Sequence, residues 1–315
     1  MKIDNNKCLV IGGNGFIGIN LIIKLLDLGM KVRVLSRNNN NIPLEIIDKI
    51  EFIRGNLTDR EIIRSSIKNI DYIFYFVSCT NVSSSINDVY KDNNNVLYMI
   101  NLLEGLKENK IKKLIFASSG GTVYGEPRYV PVDENHPRKP ISPYGITKAS
   151  IENYLNFYKR KYNINYCVCR YSNPYGKYQY PSKGTGAINI FLYKHLNGEE
   201  ITIYGDKTKI IRDYIYIDDL IEATVRIAFK EKTNYDIYNV GSGIGLSLQD
   251  LINSIEKATK KKIRIKEKNS KDENVEKIIL NIDRLKKEFD WNPKVDLDLG
   301  VNLSKLWITE LIKKR

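Results

Sequence analysis

The chain has 315 residues, of which 42% are hydrophobic and 28% are charged, which is ordinary for one large α/β domain with a smaller lobe. No run of about 18 apolar residues occurs, which excludes a membrane-spanning helix, and Met1–Lys7 is too polar to begin a signal peptide. The net charge of +13 comes from dispersed lysines without an aromatic and basic platform, so we expect no nucleic-acid partner. A positive field would still help to attract a polyanionic small substrate.

The four cysteines, Cys8, Cys79, Cys167 and Cys169, have the spacing of neither a disulfide framework nor a zinc site. Cys167 and Cys169 share one face of a predicted strand, where we expect buried thiols. The sequence therefore predicts a reduced, cytoplasmic setting and no bound metal.

Short apolar runs alternate with helical patterns through the first half of the chain. Strands are predicted at 7–11, 31–35, 51–54, 71–76, 112–117 and 165–170, and helices near 16–28, 59–68, 88–108 and 144–162. Strands that alternate with helices of this length predict an α/β fold with a Rossmann-type, doubly wound parallel sheet.

The alternation becomes less regular after about residue 175. The stretch 173–186 is rich in Gly, Pro and Tyr, and we interpret it as a loop region around a site. Helices are predicted at 187–197, 247–259, 282–288 and 299–313, strands at 201–204 and 263–266, and a strand followed by a helix at 213–230. We predict a dinucleotide-binding domain over 1–175, to which the chain returns near 210–242, and a smaller substrate-binding α/β lobe over 176–315.

A glycine loop joins the first predicted strand to the first predicted helix. Gly12, Gly15 and Gly18 follow Cys8–Ile11 directly, and the apolar helix begins near Phe16. Small residues let the backbone approach a pyrophosphate, and the helix N-terminus offers it free N–H groups and a partial positive charge. The spacing therefore predicts a dinucleotide site; the alternative is a plain strand-to-helix turn.

Tyr144 and Lys148 are four residues apart at the start of a predicted helix, directly after Pro143. Positions i and i+4 share a helix face, so the ammonium of Lys148 can lie beneath the phenol and lower its pKa from about 10. A tyrosine tuned in this way can act as general base and acid. The alternative is a pair of solvated residues on a first turn.

Six motifs occur in the order found in the extended short-chain dehydrogenase/reductase family. The chain resembles the NAD-dependent nucleotide-sugar epimerase and dehydratase group of that family, and most of all its UDP-glucose 4-epimerases. The motifs are Val10–Gly18, Ser118–Gly125, Pro143–Lys148, Arg170–Gly176, Arg212–Asp219 and Tyr238–Gly243.

The resemblance implies roles for individual residues. Tyr144 would be the base, with Lys148 as its partner, and Ser119 or Thr122 would bind the sugar hydroxyl. The implied substrate contacts are Asn173, Arg212, Lys271 and Ile278, of which Arg212 and Lys271 would meet the pyrophosphate and Ile278 would border the sugar. The implied NAD contacts are Gly12, Gly15, Phe16, Ile17, Ser36, Arg37, Asn56, Leu57, Lys148 and Tyr171.

Several positions depart from the family pattern. The acid that often ends the second strand is replaced by Ser36 and Arg37, and an arginine there can accept a 2′-phosphate, so NADP is possible. The Asp near the adenine corresponds to Asn56. The catalytic Ser/Thr position falls on Gly120 unless the loop slips by one residue to Ser119, and Thr122 is the second candidate. A late arginine corresponds to Lys271, which cannot bind phosphate in bidentate fashion.

The stretch after Ser119 argues against some members of the group. The 4,6-dehydratases carry an Asp-Glu pair and related decarboxylases a Glu there, and 3,5-epimerase/reductases carry a Cys, whereas this chain has Gly120, Gly121 and Thr122. The reading we favour is a UDP-glucose/UDP-galactose type 4-epimerase. An NAD(P)-dependent keto-sugar reductase and a non-catalytic dinucleotide-binding scaffold remain as alternatives, and the sequence does not identify the sugar or decide whether N-acetyl forms are accepted.

The resemblance also implies a homodimer formed by two long helices. The predicted helix at 88–108 carries Val89, Val96, Leu97, Ile100, Leu103 and Leu106, and the helix from 144 carries Ile151, Tyr154, Leu155 and Tyr158. These are more apolar positions than one buried face needs. The alternative is that both helices only cover the sheet.

Overall fold

A computed structural model describes residues 6–269 and 275–313. Lys271, one of the predicted phosphate contacts, lies outside these residues. By contacts between Cα atoms, the chain divides into two compact units. Unit 1 contains the described residues up to 125, 138–170 and 221–238, and unit 2 contains 126–137, 171–220 and the described residues from 239 onward.

A seven-stranded sheet forms the centre of the fold, in the order β10-β6-β5-β4-β1-β2-β3. The pairs β3–β2, β2–β1, β1–β4 and β4–β5 are parallel. Its central strands are buried along nearly their whole length, as expected when helices cover both faces. The strands are β1 (Lys7–Ile11), β2 (Lys31–Ser36), β3 (Glu51–Arg54), β4 (Tyr72–Tyr75), β5 (Lys113–Ser119), β6 (Tyr166–Tyr171) and β10 (Ile237–Val240).

The helices of the first half lie between these strands in sequence, and their ends follow local chemistry. Asp59 caps α3 by accepting hydrogen bonds from two backbone N–H groups, and Ser142 caps α6, with Pro143 at its first position. The residue after the last residue of α6, Asn163, caps the helix in a left-handed backbone conformation. The helices are α1 (Phe16–Asp27), α2 (Leu44–Ile47), α3 (Arg60–Ile67), α4 (Val82–Asn87), α5 (Val89–Leu106) and α6 (Pro143–Tyr162).

One large cluster of buried side chains fixes α3, α5 and α6 against the sheet. It joins Leu9 and Ile11 of β1 to Leu102 of α5 and Leu155 of α6, all of them within 1% of complete burial. Burial of each such side chain stabilises the fold by about 1.5–3 kcal/mol before the loss of chain entropy is counted. This packing holds the N-terminus of α6 beside the ends of the central strands.

The later elements are shorter and are arranged around small sheets. In unit 2, β9 pairs with β11, β13 and β7, and β12 pairs with β8. These elements are β7 (Asn173–Tyr175), α7 (Ala187–Leu196), β8 (Ile201–Tyr204), β9 (Ile211–Tyr216), α8 (Ile217–Phe229), β11 (Gly245–Ser247), α9 (Leu248–Thr259), β12 (Ile265–Lys268), β13 (Lys277–Ile278), α10 (Asp283–Phe289) and α11 (Leu297–Lys313).

The segment 126–137 belongs to unit 2, whereas the sequence analysis includes it in the first domain. Val132 exchanges backbone hydrogen bonds with Ile279 and Asn281. The carboxylate of Glu134 accepts from the backbone N–H of Asn239 at 2.8 Å and pairs with Arg284. These partners lie more than 100 residues away in the chain, so local sequence patterns contain no sign of them.

The predicted Rossmann-type fold is confirmed, and the predicted strands and helices of the first half agree with the structure to within a few residues. The sequence analysis missed the short helices α2 and α4 and the strands β7, β10, β11 and β13. Within the described part of the chain, no helix combines the length and apolarity needed to cross a bilayer.

Candidate active site

The glycine loop is a tight turn between β1 and α1. Gly12 has φ of +86°, a conformation that favours glycine, and its N–H donates to the carbonyl of Leu35 at 3.1 Å. The N–H of Gly15 donates to the carbonyl of Gly12 at 3.0 Å, which closes the turn. The chain therefore enters α1 directly from the end of the sheet.

The glycines of this loop have different surroundings. A Cβ on Gly18 would lie 2.5 Å from the carbonyl oxygen of Gly12, and one on Gly13 would lie 2.7 Å from Val34, so both positions are filled by packing. A Cβ on Gly15 would have only the Gly12 oxygen, at 3.2 Å, as a neighbour within 4 Å. No side chain caps the N-terminus of α1, and its first turn carries no acid. An open glycine backbone at an uncapped helix N-terminus fits a dinucleotide pyrophosphate.

The loop after β2 is attached to the glycine loop by asparagine side chains. The amide of Asn14 donates to Asn38 at 2.7 Å and accepts from the backbone N–H of Asn41 at 2.8 Å. Arg37, between β2 and these asparagines, is exposed, and Ser36 is half-buried. These asparagine contacts were not predicted, because an asparagine in a loop leaves no periodic signal in the sequence that identifies its partner.

The loop after β3 carries the other two residues predicted to contact the adenosine part of the cofactor. Asn56 is exposed, whereas Leu57 is 5% exposed and its carbonyl accepts from the side chain of Asn101 at 2.9 Å. The side chain of Asn56 is therefore accessible to a ligand, and Leu57 is fixed by the core.

Tyr144 lies in the first turn of α6. Its backbone N–H donates to the hydroxyl of Ser85 at 3.2 Å. A Cβ on the neighbouring Gly145 would lie 2.8 Å from the carbonyl oxygen of Thr122, so α6 begins directly against the turn that follows β5. The structure thus brings together Tyr144 and the 119–122 turn, which the sequence analysis predicted as one catalytic group.

Lys148 is buried beneath that turn of α6. Its ammonium donates to the carbonyl of Ala117 at 2.8 Å and lies 4.9 Å from the ring centre of Phe116 and 5.4 Å from that of Tyr144. Burial lowers the pKa of Lys148 to about 8, while the carboxylates of Asp92 and Glu152 oppose that shift. The predicted pairing of Tyr144 and Lys148 on one helix face is therefore present.

The pKa of Tyr144 is shifted in the direction opposite to the one expected from the sequence. Burial, and secondly the charge of Asp92, raise the pKa of Tyr144 to about 12. The i,i+4 spacing correctly predicted that the ammonium lies near the ring, but spacing carries no information about burial. Desolvation of the phenolate is the larger of the two causes of the raised pKa.

Ser119 and Thr122, the two candidates for the sugar-hydroxyl contact, lie in the same turn. The backbone N–H of Thr122 donates to the carbonyl of Ser119 at 3.2 Å, and the Thr122 hydroxyl is at 3.5 Å from the same oxygen. Both side chains are half-buried. Their surroundings do not distinguish the two hydroxyls, so Ser119 and Thr122 both remain candidates for the sugar-hydroxyl contact.

Glu152 organises a buried network that the sequence analysis did not identify. On α6, one turn after Lys148, its carboxylate pairs with Arg170 at 2.6 Å and with Arg138 at 3.0 Å, and accepts from the hydroxyl of Ser118 at 2.5 Å. Arg170 also donates to the hydroxyl of Tyr124 at 2.9 Å. Glu152 and Arg170 are each at least 97% buried, so α6, β5, β6 and the turn after β5 are joined around one carboxylate.

Arg212 lies on β9 in unit 2. Its guanidinium donates to the backbone carbonyls of Ile211 at 3.0 Å and Glu276 at 2.9 Å. Burial lowers the pKa of Arg212 below its usual value. Its carbonyl partners are neutral, so the charge stays available to a phosphate.

Asp213 points to the opposite face of the strand and holds neighbouring loops in place. Its carboxylate accepts from the backbone N–H groups of Ser242, Gly243 and Leu280 and from the Ser242 hydroxyl. Arg212 and Asp213 therefore have different hydrogen-bond partners and do not form an ion pair with each other. The side chain of Asn173 donates to the Asp213 carbonyl at 2.9 Å.

Two more predicted contacts in unit 2 are buried. Ile278 is 2% exposed and pairs in register with Arg212 across β13 and β9. Tyr171 is 4% exposed at the end of β6. Asn173, Arg212 and Ile278 therefore lie on adjoining strands of one small sheet.

Comparison of the chain with known proteins identifies its family. Residues 8–241 match the model of the NAD dependent epimerase/dehydratase family. The chain belongs to this family. It is 35% identical over 302 residues to a Methanocaldococcus jannaschii protein named "Putative UDP-glucose 4-epimerase", with 95% of this chain and 97% of that protein covered.

Two further relatives differ in what their names say. An Escherichia coli dTDP-4-dehydro-6-deoxyglucose reductase is 33% identical over 312 residues, with 96% of this chain and 97% of that protein covered. The crystal structure of UDP-glucose 4-epimerase from Thermotoga maritima with UDP-glucose has a TM-score of 0.90 and 33% identity, and covers 97% of this chain and 99% of that one. The family resemblance stated from the motifs is confirmed.

The buried network around Glu152 generates a stability prediction. Glu152→Ala leaves the Arg170 charge buried without its partner, so we expect the free energy of unfolding to fall by about 3–5 kcal/mol. Glu61→Ala removes a comparable pair with Arg64 whose side chains are 83% and 68% exposed, and should cost less than about 1 kcal/mol. Denaturant unfolding of the two variants measures the difference, and equal losses would contradict a structural role for Glu152.

Proposed function

We propose that the protein is an NAD-dependent UDP-hexose 4-epimerase of the UDP-glucose/UDP-galactose type. The observation that carries this proposal is the placement of Tyr144 and Lys148 on α6, directly against a turn, 119–122, whose side chains are hydroxyls and no acids. Reactions at carbons 5 and 6 of the sugar need a further acid or base, whereas epimerisation at carbon 4 needs one proton carrier and a hydride acceptor. The named relatives support the same substrate class.

In the proposed reaction, Tyr144 moves the proton of the sugar 4-hydroxyl. NAD, when bound, supplies reversible hydride acceptance at that carbon. Tyr144 takes the hydroxyl proton as carbon 4 is oxidised, the 4-keto sugar rotates to present its other face, and Tyr144 returns the proton to the same oxygen as the carbonyl carbon is reduced on that face. Ser119 or Thr122 orients the oxygen during both proton transfers. Lys148, whose ammonium lies 5.4 Å from the centre of the Tyr144 ring, stabilises the phenolate.

We assign the nucleotide part of the substrate to unit 2. Arg212 and Lys271 are the proposed pyrophosphate contacts, Asn173 contributes a polar side chain, and Ile278 limits the size of the sugar. A guanidinium matches phosphate oxygens in bidentate fashion, so Arg212 should contribute more than Lys271.

A second candidate function is an NADP-dependent keto-sugar reductase. It is favoured by Arg37, which is exposed where a 2′-phosphate would be bound, and by the similarity to a reductase of comparable coverage. The two functions differ in whether the cofactor is consumed. An epimerase regenerates its bound NAD in each turnover, whereas a reductase oxidises one NADPH per turnover. Purified protein that retains NAD supports the first function, and stoichiometric NADPH oxidation with a keto sugar supports the second.

We also infer that the protein works in the cytoplasm as a homodimer. The four cysteines form no disulfide with one another, as in a reducing compartment. The helices α5 and α6 each bury one face in the core but expose a second apolar set. The exposed set is Val89, Tyr90, Leu97, Ile146, Tyr154 and Phe157. A matching surface on a second copy would bury these side chains.

Tyr144→Phe tests the chemistry. Because the variant keeps the ring but loses the proton carrier, we expect turnover of UDP-glucose to fall by about 10²–10⁴-fold with little change in nucleotide affinity. Tyr154→Phe, on an exposed face of the same helix, is the matched control and should retain activity. Near-normal turnover in Tyr144→Phe would remove this residue from the mechanism.

Arg212→Ala tests the substrate class. Loss of a charge-assisted contact worth about 1.5–3 kcal/mol should raise the KM for UDP-glucose at least about tenfold, and leave the absorbance of bound cofactor unchanged. Lys271→Ala should have a smaller effect in the same direction. Arg226→Ala removes an exposed arginine on α8 and should leave KM unaltered. An unchanged KM in Arg212→Ala would contradict a nucleotide-sugar substrate.

Arg37→Ala tests the cofactor. If the exposed guanidinium meets a 2′-phosphate, the variant should weaken NADP binding far more than NAD binding, from a wild type with only a weak NADP preference. Arg64→Ala, another exposed arginine, is the control. Calorimetry that detects no NADP binding by the wild type would mean that Arg37 faces solvent.

Light scattering at micromolar concentration tests the dimer. The wild type should have twice the mass of the 36.4 kDa chain. Leu97→Glu places a charge in the proposed interface and should shift the mass towards the monomer, whereas Leu306→Glu, on an exposed part of α11, should not. A monomeric wild type would exclude the dimer.

A further inference from the structure

A buried aspartate on α5 joins three elements next to the Tyr144–Lys148 pair. Asp92 is completely buried, and one of its carboxylate oxygens accepts from the hydroxyl of Thr147 at 2.6 Å. The other oxygen accepts from the hydroxyl of Thr80 and, at 3.2 Å, from the side-chain amide of Asn95. Thr147 precedes Lys148 on α6, and Thr80 belongs to the loop after β4, so one carboxylate fastens both to α5.

A second residue of α5, Asn95, also binds the loop after β4. The carbonyl oxygen of the Asn95 side chain accepts from the backbone N–H of Cys79 at 2.8 Å, and its amide donates to the Asp92 carbonyl. The loop 77–80 also adjoins the glycine loop, because a Cβ on Gly12 would lie 3.0 Å from the backbone nitrogen of Val77. Asp92 and Asn95 therefore fix the loop 77–80, which packs against the glycine loop.

Within the described residues, the carboxylate of Asp92 has no ion-pair partner. Its hydrogen-bond partners Thr80, Thr147 and Asn95 are neutral. Glu152, the other acid close to Lys148, forms ion pairs with Arg170 and Arg138. Burial of a charge whose hydrogen-bond partners are all neutral is costly.

We propose that Asp92 is a positioning residue for the Tyr144–Lys148 pair, acting in two ways: its hydrogen bonds anchor the loop 77–80 and α6 to α5, and its negative charge acts on both members of the pair. The proposal rests on the epimerase function for its kinetic part and on geometry alone for its structural part. Asp92 is inaccessible and therefore does not contact the substrate itself.

The electrostatic part has a defined direction. The groups that face Lys148 are Asp92 on α5, Glu152 and the Tyr144 ring on α6, and the Ala117 carbonyl and Phe116 ring on β5. Removing the Asp92 charge disfavours the protonated ammonium and favours the phenolate, so the pKa values of Lys148 and Tyr144 both fall.

Asp92→Asn is the first test, because asparagine keeps the shape and can still hydrogen-bond to both threonines. Both limbs of the pH profile of kcat should move to lower pH, by about one unit. Asp88→Asn is the matched control, since Asp88 is an exposed N-cap of the same helix and asparagine caps equally well. A profile that loses height but keeps its midpoints would overturn the electrostatic part.

Cys79 provides a second readout that does not depend on activity. It is half-buried in the anchored loop, and the other three cysteines are buried. Thr80→Val removes the anchoring hydroxyl but leaves the Asp92 charge, so labelling of Cys79 by a disulfide reagent at fixed pH should become at least about threefold faster. Thr80→Ser restores the hydroxyl and should restore the slow rate.

The labelling and kinetic experiments distinguish failure of the anchoring proposal from failure of the proposed epimerase function. Unchanged labelling in Thr80→Val would overturn the anchoring part, whether or not the protein is an epimerase. A wild type without epimerase turnover would remove the proposed function, while the labelling rates would still decide the anchor. Unfolding of each variant by denaturant confirms that the measurements are made on folded protein.

Discussion

The buried ion pair between Glu152 and Arg170 is the constraint on which the geometry of the site depends. It joins α6 to β6, and through Ser118 and Tyr124 it joins both to the end of β5 and the turn that follows. Charges this far from water must be matched by several partners, and Glu152 has two arginines and a hydroxyl. Lys148 and Tyr144 lie one and two turns earlier on the same helix, so the network fixes the register of the proposed base.

The electrostatics of the pair follow from that burial. Desolvation moves Lys148 towards its neutral form and Tyr144 away from its charged form, so burial favours the neutral state of both groups. Under the proposed function, NAD would supply the hydride acceptor when bound, and Lys148 would have to stabilise the Tyr144 phenolate against this desolvation.

The parts of the site that the sequence predicted are those encoded by short-range spacing. The glycine loop, with Gly12 in its left-handed conformation, and the i,i+4 relation of Tyr144 and Lys148 follow from the residues themselves. The contacts that were missed are long-range: Asp92 meets Thr147 across 55 residues, and Asn239 meets Glu134 across 105. Such pairs leave no periodic signal in one sequence. The sign of the Tyr144 shift was missed for the same reason, because burial is a property of the assembled fold.

The central claim is that this protein inverts carbon 4 of a UDP-hexose by removing and returning the same hydride. The most direct measurement is ¹H NMR of the products after incubation with UDP-glucose deuterated at carbon 4, in ordinary water without added cofactor. The expected product is UDP-galactose that retains deuterium at carbon 4, because the deuteride removed from the sugar returns to the same carbon without exchanging with solvent. No interconversion, or product in which a solvent proton has replaced the deuterium, would contradict it.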